Sequence, residues 1–434
     1  MACAILTKGL IKTLHHQLTR GELDLAAVRA DARRAESQDR QCRAYLWRPE
    51  AEGLTVPGGG PGPLHGLPVS VKDNMDVAGW PTSCGAKFFA AVRAPTHQDA
   101  NFVAMWRQAG ADFTGKTHLN AFAYGLTGEN RDYGDCLQPG HPGCLTGGSS
   151  SGAAASVMSG SAVIGLGTDT GGSLRVPAAL CGLVSLRLTP GRASNTGWFP
   201  LAETYTGGGW IQRHLADVAW VARQVLGLAP ATTTPRRVGL VEGTWLDVCE
   251  PKVRTALADF MAALTGAGFE VAAVDADGWE EAAEVFIPLQ AREAFQVHEP
   301  LIARHAAEYE STIRTRLELG RDLSPEQHAC LIGRRDRLVA RCDELWLRYD
   351  LLVAPACPVT RLAVGVDHGV SRRRMLQLTT PASLARWPAL TVPGSAGQGL
   401  GFQVLAPRGE ESRLLSFAEQ LGAATSRAAS QGDA

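Results

Sequence analysis

The sequence predicts an α/β fold in which a mixed β-sheet is covered by helices on both faces. Short apolar runs typical of buried strands, such as VIGLG and LLVAP, alternate with stretches whose apolar residues recur at helical spacing. Glycine is abundant, at 48 residues, and is concentrated in short loops between these runs. Such alternation of strands and helices is typical of layered α/β domains.

The elements are assigned in chain order. Residues 1–48 are predicted to form two helices packed on the body, because Leu10, Leu14 and Leu18 recur at helical spacing. A Gly/Pro-rich loop, VPGGGPGPLHG, then precedes a strand in LPVSVKDN. Further strands are predicted in ADFTGK, SAVIGLG, RRVGLVEG, YDLLVAPA, PALTVPG and GLGFQVLAP, and helices over 98–109, 150–159, 324–348 and from Glu411 to about Gly422.

One main domain is expected over residues 49–425. Within it, residues 230–320 are more charged and more helical, which makes this segment a candidate helical cap inserted over the sheet. Residues 426–434 are expected to form a flexible tail.

Composition excludes several classes of protein. Lys and Arg number 42 and Asp and Glu 43, so the net charge of −1 offers no electrostatic attraction for nucleic acid or an anionic membrane. The ten cysteines include no CxxC pair, and the N-terminus lacks the long apolar core of a signal peptide. We therefore expect a cytoplasmic protein with reduced thiols and no membrane-spanning segment.

Three short tracts could carry chemistry. Lys72 ends the apolar strand LPVSVK, where partial desolvation would lower the pKa of its amine; an exposed lysine at a strand end is the simpler alternative. TGGSSSG at 146–152 contains a G-x-S-x-G match centred on Ser150, yet no buried strand precedes it, and a Gly/Ser turn that caps a helix explains it equally well. GTDTGGS at 167–173 follows a strand, and its backbone N–H groups could converge on one anion, or form an ordinary tight turn.

Together the three tracts resemble the amidase signature family, over roughly residues 60–420. The resemblance implies a Ser-Ser-Lys triad made of Lys72 in VKDN, Ser149 in GGSS and the nucleophile Ser173 in GTDTGGS. It also implies a cis peptide at Ser149, an acyl-enzyme, and an oxyanion hole formed by the N–H groups of residues 170–173, which are Thr170, Gly171, Gly172 and Ser173.

Neighbouring residues are given supporting roles. Asp169 and Arg175 are expected to pair and brace the nucleophile loop, and Ser150 either orients Ser149 or caps its helix. The histidines are dispersed and show no metal-ligand spacing, so neither a metal nor another cofactor is expected.

The chain departs from the family pattern at several positions. Ser151 replaces the first Gly after GGSS, and His118 and Ala121 stand where Asn and Glu are common. Thr206 fills a position often held by Asp. These changes affect the surroundings of the triad and leave Lys72, Ser149 and Ser173 intact.

The predicted function is hydrolysis of a small-molecule carboxamide to a carboxylate and ammonia or an amine. Glutaminase action within a tRNA-dependent amidotransferase complex, allophanate or ureido-acid hydrolysis, and a catalytically inactive binding protein are the alternatives, and a homodimer is one expected assembly. Aromatic side chains in variable loops are candidates for substrate binding, with packing of the loops as the alternative for each: Tyr133, Trp198, Phe199 and Trp210, together with Tyr124 and Tyr205.

Overall fold

The computed structural model describes residues 4–49, 62–275, 278–394 and 399–432. Eleven strands of the described chain form one mixed sheet in the order β1-β3-β2-β6-β8-β7-β13-β14-β11-β9-β10, and β12-β5-β4 form a second, small sheet. The strands are β1 Tyr45–Trp47, β2 Pro68–Lys72, β3 Asp112–Thr117, β4 Leu137–Gln138, β5 His141–Leu145, β6 Ile164–Asp169, β7 Val184–Arg187, β8 Gly207–Gln212, β9 Arg237–Glu242, β10 Glu270–Asp275, β11 Leu351–Pro355, β12 Leu362–Ala363, β13 Ala389–Pro393 and β14 Gly401–Leu405.

Fifteen α-helices are found in the described ranges. They are α1 Ala4–Lys8, α2 Ile11–Thr19, α3 Leu25–Arg34, α4 Glu36–Cys42, α5 Lys87–Val92, α6 Asn101–Gln108, α7 Ser151–Ser159, α8 Arg175–Leu180, α9 Val218–Leu226, α10 Pro251–Gly266, α11 Ala282–His305, α12 Ser311–Arg321, α13 Pro325–Glu344, α14 Gly369–Leu384 and α15 Glu411–Gly432. No helix among the described residues is long and apolar enough to cross a membrane.

The predicted fold class is confirmed: a mixed sheet lies among many helices. Strand β2 runs parallel to β3 and to β6, whereas β6, β8, β7, β13 and β14 follow one another antiparallel. Because β2 and β6 are parallel neighbours, their carboxyl ends lie side by side at one edge of the sheet. Lys72 is the last residue of β2 and Asp169 the last of β6.

Several element boundaries differ from the sequence prediction. The first 48 residues form four short helices rather than two, because Gly9 and Leu10 separate α1 from α2 and Ala35 separates α3 from α4. The closing helix α15 extends to Gly432, so most of the expected tail continues that helix. Most of the predicted Gly/Pro-rich loop lies outside the described residues.

The segment 230–320 contributes to the sheet as well as to the helices. Strands β9 and β10 pair in parallel, and β9 also pairs with β11, so this part of the segment extends the sheet edge. Helices α11 and α12 pack on one another, and α11 packs on α14. The division of the chain into a main domain with a cap stays a prediction.

Candidate active site

Lys72 stands at the carboxyl end of β2, a strand buried along its whole length. Its side-chain nitrogen Nζ lies 2.7 Å from Ser149 Oγ, 3.0 Å from Thr168 Oγ1 and 3.3 Å from the carbonyl oxygen of Thr168. These three acceptors are all neutral. The strand therefore places the amine of Lys72 beside hydroxyl and carbonyl groups rather than beside a carboxylate.

Burial changes the acid–base behaviour of this lysine. The Lys72 side chain is fully buried, and desolvation lowers its pKa to about 7, although the charge of Asp169 acts in the opposite direction. At neutral pH a substantial fraction of Lys72 is therefore the free amine, which can accept a proton. A lysine at an exposed strand end, the simpler sequence interpretation, is not what the structure contains.

Ser149 is held by the loop before α7. The peptide bond between Gly148 and Ser149 is cis, and Gly148 N–H donates to the carbonyl oxygen of Leu126 at 2.8 Å. A methyl group on Gly148 would lie 2.1 Å from Asn120 Oδ1, so the side chain of Asn120 fits here only against a glycine. The second glycine of the GGSS tract is thus needed for close packing.

Ser150 joins the second tract to the third. Its N–H donates to the carbonyl oxygen of Ser173 at 3.1 Å, and its hydroxyl donates to the carbonyl oxygen of Thr168 at 3.2 Å. The hydroxyl makes no capping hydrogen bond to α7, although Ser150 occupies the N-cap position. Ser150 therefore ties together the loops that carry Ser149 and Ser173; the capping alternative is wrong, and the alternative that it orients Ser149 stays a prediction.

The expected pairing of Asp169 with Arg175 is present. Arg175 Nη2 and Nε lie 2.9 and 3.0 Å from the Asp169 carboxylate, and Arg187 Nε lies 3.3 Å from it. All three side chains are fully buried. Burial alone would raise the pKa of Asp169, but the two guanidinium groups outweigh this and hold it well below its ordinary value. Arg187, which sequence reasoning missed, is a second cation of this group.

The backbone N–H groups of the loop that carries Ser173 differ in whether they have a hydrogen-bond acceptor inside the protein. Gly172 N–H donates to Asp169 Oδ1 at 2.8 Å, so it is engaged inside the protein; this corrects the expectation that it faces the oxyanion. In the described part of the chain, the N–H groups of Thr170, Gly171 and Ser173 have no such acceptor. Ser173 itself is 4% exposed, which keeps it at the edge of the buried site.

Two of the departures from the family pattern contact one another. His118 Nδ1 lies 2.8 Å from Ser151 Oγ, and His118 Nε2 lies 2.8 Å from the carbonyl oxygen of Gly134. Burial lowers the pKa of His118 to about 4, so the ring is neutral at pH 7. Because the carbonyl of Gly134 can only accept, Nε2 carries the proton and Nδ1 accepts from Ser151.

The third departure also makes a specific contact. Thr206 Oγ1 and Thr170 Oγ1 lie 2.7 Å apart, and Thr206 donates to the carbonyl oxygen of Ala202. The hydroxyl that stands in place of an Asp therefore fastens the start of the nucleophile loop to the segment before β8.

The aromatic substrate-binding candidates lie in different surroundings. Trp210 is fully buried on β8, packs against Trp106 at 5.5 Å between ring centroids and donates to Gln212, so its expected place in a cleft is corrected to the core. Trp198 likewise packs edge-on against Phe102 and is buried. Phe199 is half-buried and packs against Phe89, Phe122 and His298. Tyr133 is half-buried, with the Lys87 ammonium group over its ring. Tyr205 packs against Phe286.

A cavity of about 270 Å³ opens beside the Ser149 loop. It is bordered on that side by Asn120, whose side chain lies against Gly148, and by Tyr124 and Gly125. Two arginines that the sequence analysis did not single out, Arg316 and Arg372, also line it. Among the described residues no group of His, Cys, Asp and Glu side chains is arranged to hold a metal ion.

Comparison with a known structure identifies the class of protein to which this chain belongs. A solved structure described as an amidase superimposes with a TM-score of 0.86 and 29% identity, covering 94% of this chain and 98% of that one. The fold is that of a hydrolase that acts on linear carbon–nitrogen bonds.

The chain belongs to the amidase family, whose profile matches residues 43–415. Indoleacetamide hydrolase of Pseudomonas savastanoi is 31% identical over 382 residues, which cover 82% of each chain. A glutamyl-tRNA(Gln) amidotransferase subunit of Synechococcus sp. (strain RCC307) is 30% identical over 413 residues, covering 82% of this chain and 83% of that protein.

Proposed function

We propose that this chain hydrolyses a small-molecule carboxamide to a carboxylate and ammonia or an amine, with Ser173 as nucleophile. One observation carries the proposal: a fully buried lysine with a pKa of about 7 contacts Ser149 and Thr168 and no carboxylate. A neutral amine at this place is not part of an ion pair that stabilises the fold. It is suited to accept a proton through the hydroxyl of Ser149.

The acylation step follows from this arrangement. The Ser173 hydroxyl attacks the amide carbonyl and gives its proton to Ser149, which passes its own proton to the neutral amine of Lys72. The N–H groups of Gly171 and Ser173 receive the negative charge that develops on the carbonyl oxygen. When the tetrahedral intermediate collapses, the proton returns by the same relay to the leaving nitrogen and an acyl-Ser173 ester remains.

Deacylation uses the same groups in reverse. Water attacks the ester carbonyl, and its proton travels through Ser149 to Lys72 while the bond to Ser173 Oγ breaks. The carboxylic acid product leaves and Ser173 regains its proton. Asp169, Arg175 and Arg187 hold the loop in place throughout, because their buried charges are paired with one another.

Replacement of Ser173 tests the proposal. We expect Ser173→Ala to lower kcat/KM for a panel of primary, aryl and ureido amides by about 10⁴-fold or more, with an unchanged melting temperature, since only a hydroxyl is removed. A fluorophosphonate should label wild-type Ser173, as identified by peptide mapping. Ser150→Ala is the matched control and should still be labelled at Ser173. Labelling at Ser150, or unchanged turnover by Ser173→Ala, contradicts the assignment.

A second candidate is the glutaminase component of an amidotransferase complex. It is favoured by the similarity to glutamyl-tRNA(Gln) amidotransferase subunits, one of which, from Akkermansia muciniphila, is 28% identical over an alignment that covers 96% of this chain and 99% of that protein. Turnover of small amides by the isolated chain supports the first candidate. Glutamine hydrolysis that appears only with a copurifying partner supports the second.

A further inference from the structure

The cavity beside the Ser149 loop contains a cation that lacks a partner. Arg372, in the first turn of α14, lines this cavity and is half-buried, and its Nε atom is buried without a hydrogen-bond acceptor. No hydrogen bond or ion pair to its guanidinium is found in the described ranges. Burial and the nearby charge of Arg316 lower the pKa of Arg372 to about 10, so it stays charged at neutral pH.

The positive charge of Arg372, which has no partner within the protein, indicates a binding site for an anionic ligand. Removing a charged group from water is costly unless an opposite charge or several hydrogen bonds replace the water. Arg175, a buried arginine elsewhere in this molecule, obeys this rule through its contacts with Asp169 and Gln403. Arg372 lines an open cavity instead, where a bound anion could supply the missing partner.

The second arginine of the cavity is placed differently. Arg316 donates to the carbonyl oxygen of Tyr124 and lies near the carboxylates of Glu129 and Glu310. Asp367, also at the cavity, accepts from the N–H of Gly369. Glu310 and Glu129 thus act on Arg316, and Asp367 accepts from its own loop, whereas the titratable groups that act on Arg372 are Arg316, Arg373 and Tyr124.

Helix α14 connects this cation to the nucleophile loop. Thr379, seven residues after Arg372, donates to the carbonyl oxygen of Gly171 at 2.6 Å. Leu376, between them, lies 3.1 Å from the position of a methyl group on Gly171, and Phe286 lies equally close. At a rise of about 1.5 Å per residue, Arg372 and Thr379 are on the order of 10 Å apart along the helix, and Leu376 is buried between them.

We infer that the acyl part of the substrate is an apolar chain that ends in an anionic group bound by Arg372, with Arg316 beside it. This inference rests on the proposed amidase function and narrows the substrate to a class. The simplest members are half-amides of linear dicarboxylic acids, whose amide end reaches Ser173 while the carboxylate occupies the cavity. A guanidinium binds a carboxylate through two parallel hydrogen bonds, which gives selectivity over a neutral end group.

Binding is tested first, without turnover. In the Ser173→Ala background, calorimetry with a series of linear dicarboxylates of increasing length should show binding that peaks at one length. Arg372→Met should weaken that binding by about tenfold to a hundredfold. Arg374→Met removes an exposed charge of the same helix that does not act on Arg372, and it should leave the binding unchanged. Equal losses in both variants, or inorganic phosphate binding as tightly as the best dicarboxylate, overturns the inference.

Kinetics then separates the two proposals. Wild-type enzyme should prefer a half-amide over the uncharged alkyl amide of equal length by about tenfold or more in kcat/KM, and Arg372→Met should abolish this preference, with Arg372→Lys restoring part of it. A preference for the uncharged amide in wild-type enzyme overturns the anion subsite alone. Dicarboxylate binding that depends on Arg372, with hydrolysis of neither amide, overturns the proposed function and supports the anion subsite.

Discussion

Two lysines lie on neighbouring strands of the sheet and are both fully buried, yet their surroundings differ. Lys72 ends β2 and contacts only hydroxyl and carbonyl oxygens. Lys116, on β3, lies 2.8 Å from the carboxylate of Asp73 and also donates to Thr82 at 2.7 Å and to the carbonyl oxygen of Pro81 at 3.1 Å. Burial is common to both, so the partners make the difference.

The register of the strands separates the two environments. Lys72 pairs with Thr117 and Val71 with Lys116, so the lysines are offset by one position. Successive side chains of a strand point to opposite faces, which turns Lys72 toward the serine loops and Lys116 toward Asp73. A cation with a buried carboxylate partner stabilises its surroundings as an ion pair. A lysine without one gives up its proton more easily and becomes available as a base.

Removal of Lys72 should have the largest effect. We expect Lys72→Met to lower kcat/KM by about 10³-fold or more, because Ser149 then has no group to accept its proton. The variant should still fold, as measured by circular dichroism and melting temperature. Retention of most activity would mean that another base serves Ser149 and would remove the distinction between the two lysines.

Removal of Lys116 should lower the stability of the folded chain. Lys116→Met leaves the buried carboxylate of Asp73 without its cation, and we expect the free energy of unfolding to fall by about 3–5 kcal/mol in urea titration. The double variant Asp73→Asn/Lys116→Met removes both charges and should recover a large part of this loss. If the single and double variants are equally unstable, the ion pair is not the reason that Lys116 matters.

The pH profile sharpens the contrast. Lys72 must be unprotonated to act, so kcat/KM should rise with pH through a midpoint of about 7 and level off above it. Below the midpoint each pH unit should cost about tenfold. Measured under conditions where chemistry limits the rate, a profile that stays flat across the acidic range would exclude Lys72 as the base.

The smallest expected effect is a gain in stability on losing Lys72. Its pKa of about 7 in the folded chain lies below the ordinary value for lysine, so the unfolded chain binds more protons between about pH 7 and 10. Wild-type stability therefore rises with pH across this window. Lys72→Met should be more stable than wild type at pH 7, by an amount that the lost hydrogen bonds to Ser149 and Thr168 reduce, and the advantage should shrink as the pH approaches 10. An advantage independent of pH would contradict this account.

Much of the central fold and site follows from local sequence patterns. The buried run before Lys72 and the run SAVIGLG predict β2 and β6, and the tracts GGSS and GTDTGGS mark the two serine loops. Apolar periodicity and glycine-rich turns are local signals, which is why they could be recognised. The number of helices in the first 48 residues could not, because it depends on breaks of one or two residues, at 9–10 and at 35, rather than on periodicity.

Contacts between distant segments account for the rest. Thr168 looks like an ordinary strand residue in the sequence, and its contact with Lys72 arises only when β2 and β6 pair. Arg372 begins a run of three arginines that is typical of a solvated helix face, yet it lines a cavity while Arg373 and Arg374 are exposed. Trp210 shows the reverse, since an aromatic residue near the signature loops turned out to face the core.

The contact between His118 and Ser151 has a consequence for how this lineage can diverge. Replacing Ser151 leaves Nδ1 of His118 without a partner, at a cost of about 1–3 kcal/mol, whereas replacing His118 leaves the Ser151 hydroxyl with the backbone carbonyl oxygen at position 118, 3.1 Å away. A path from Asn and Gly at these positions to His and Ser therefore passes through a less stable ancestor only if the histidine arrives first. We expect the serine to precede or accompany the histidine among descendants of one ancestral gene, and ancestral reconstruction would show which of the two arrived first.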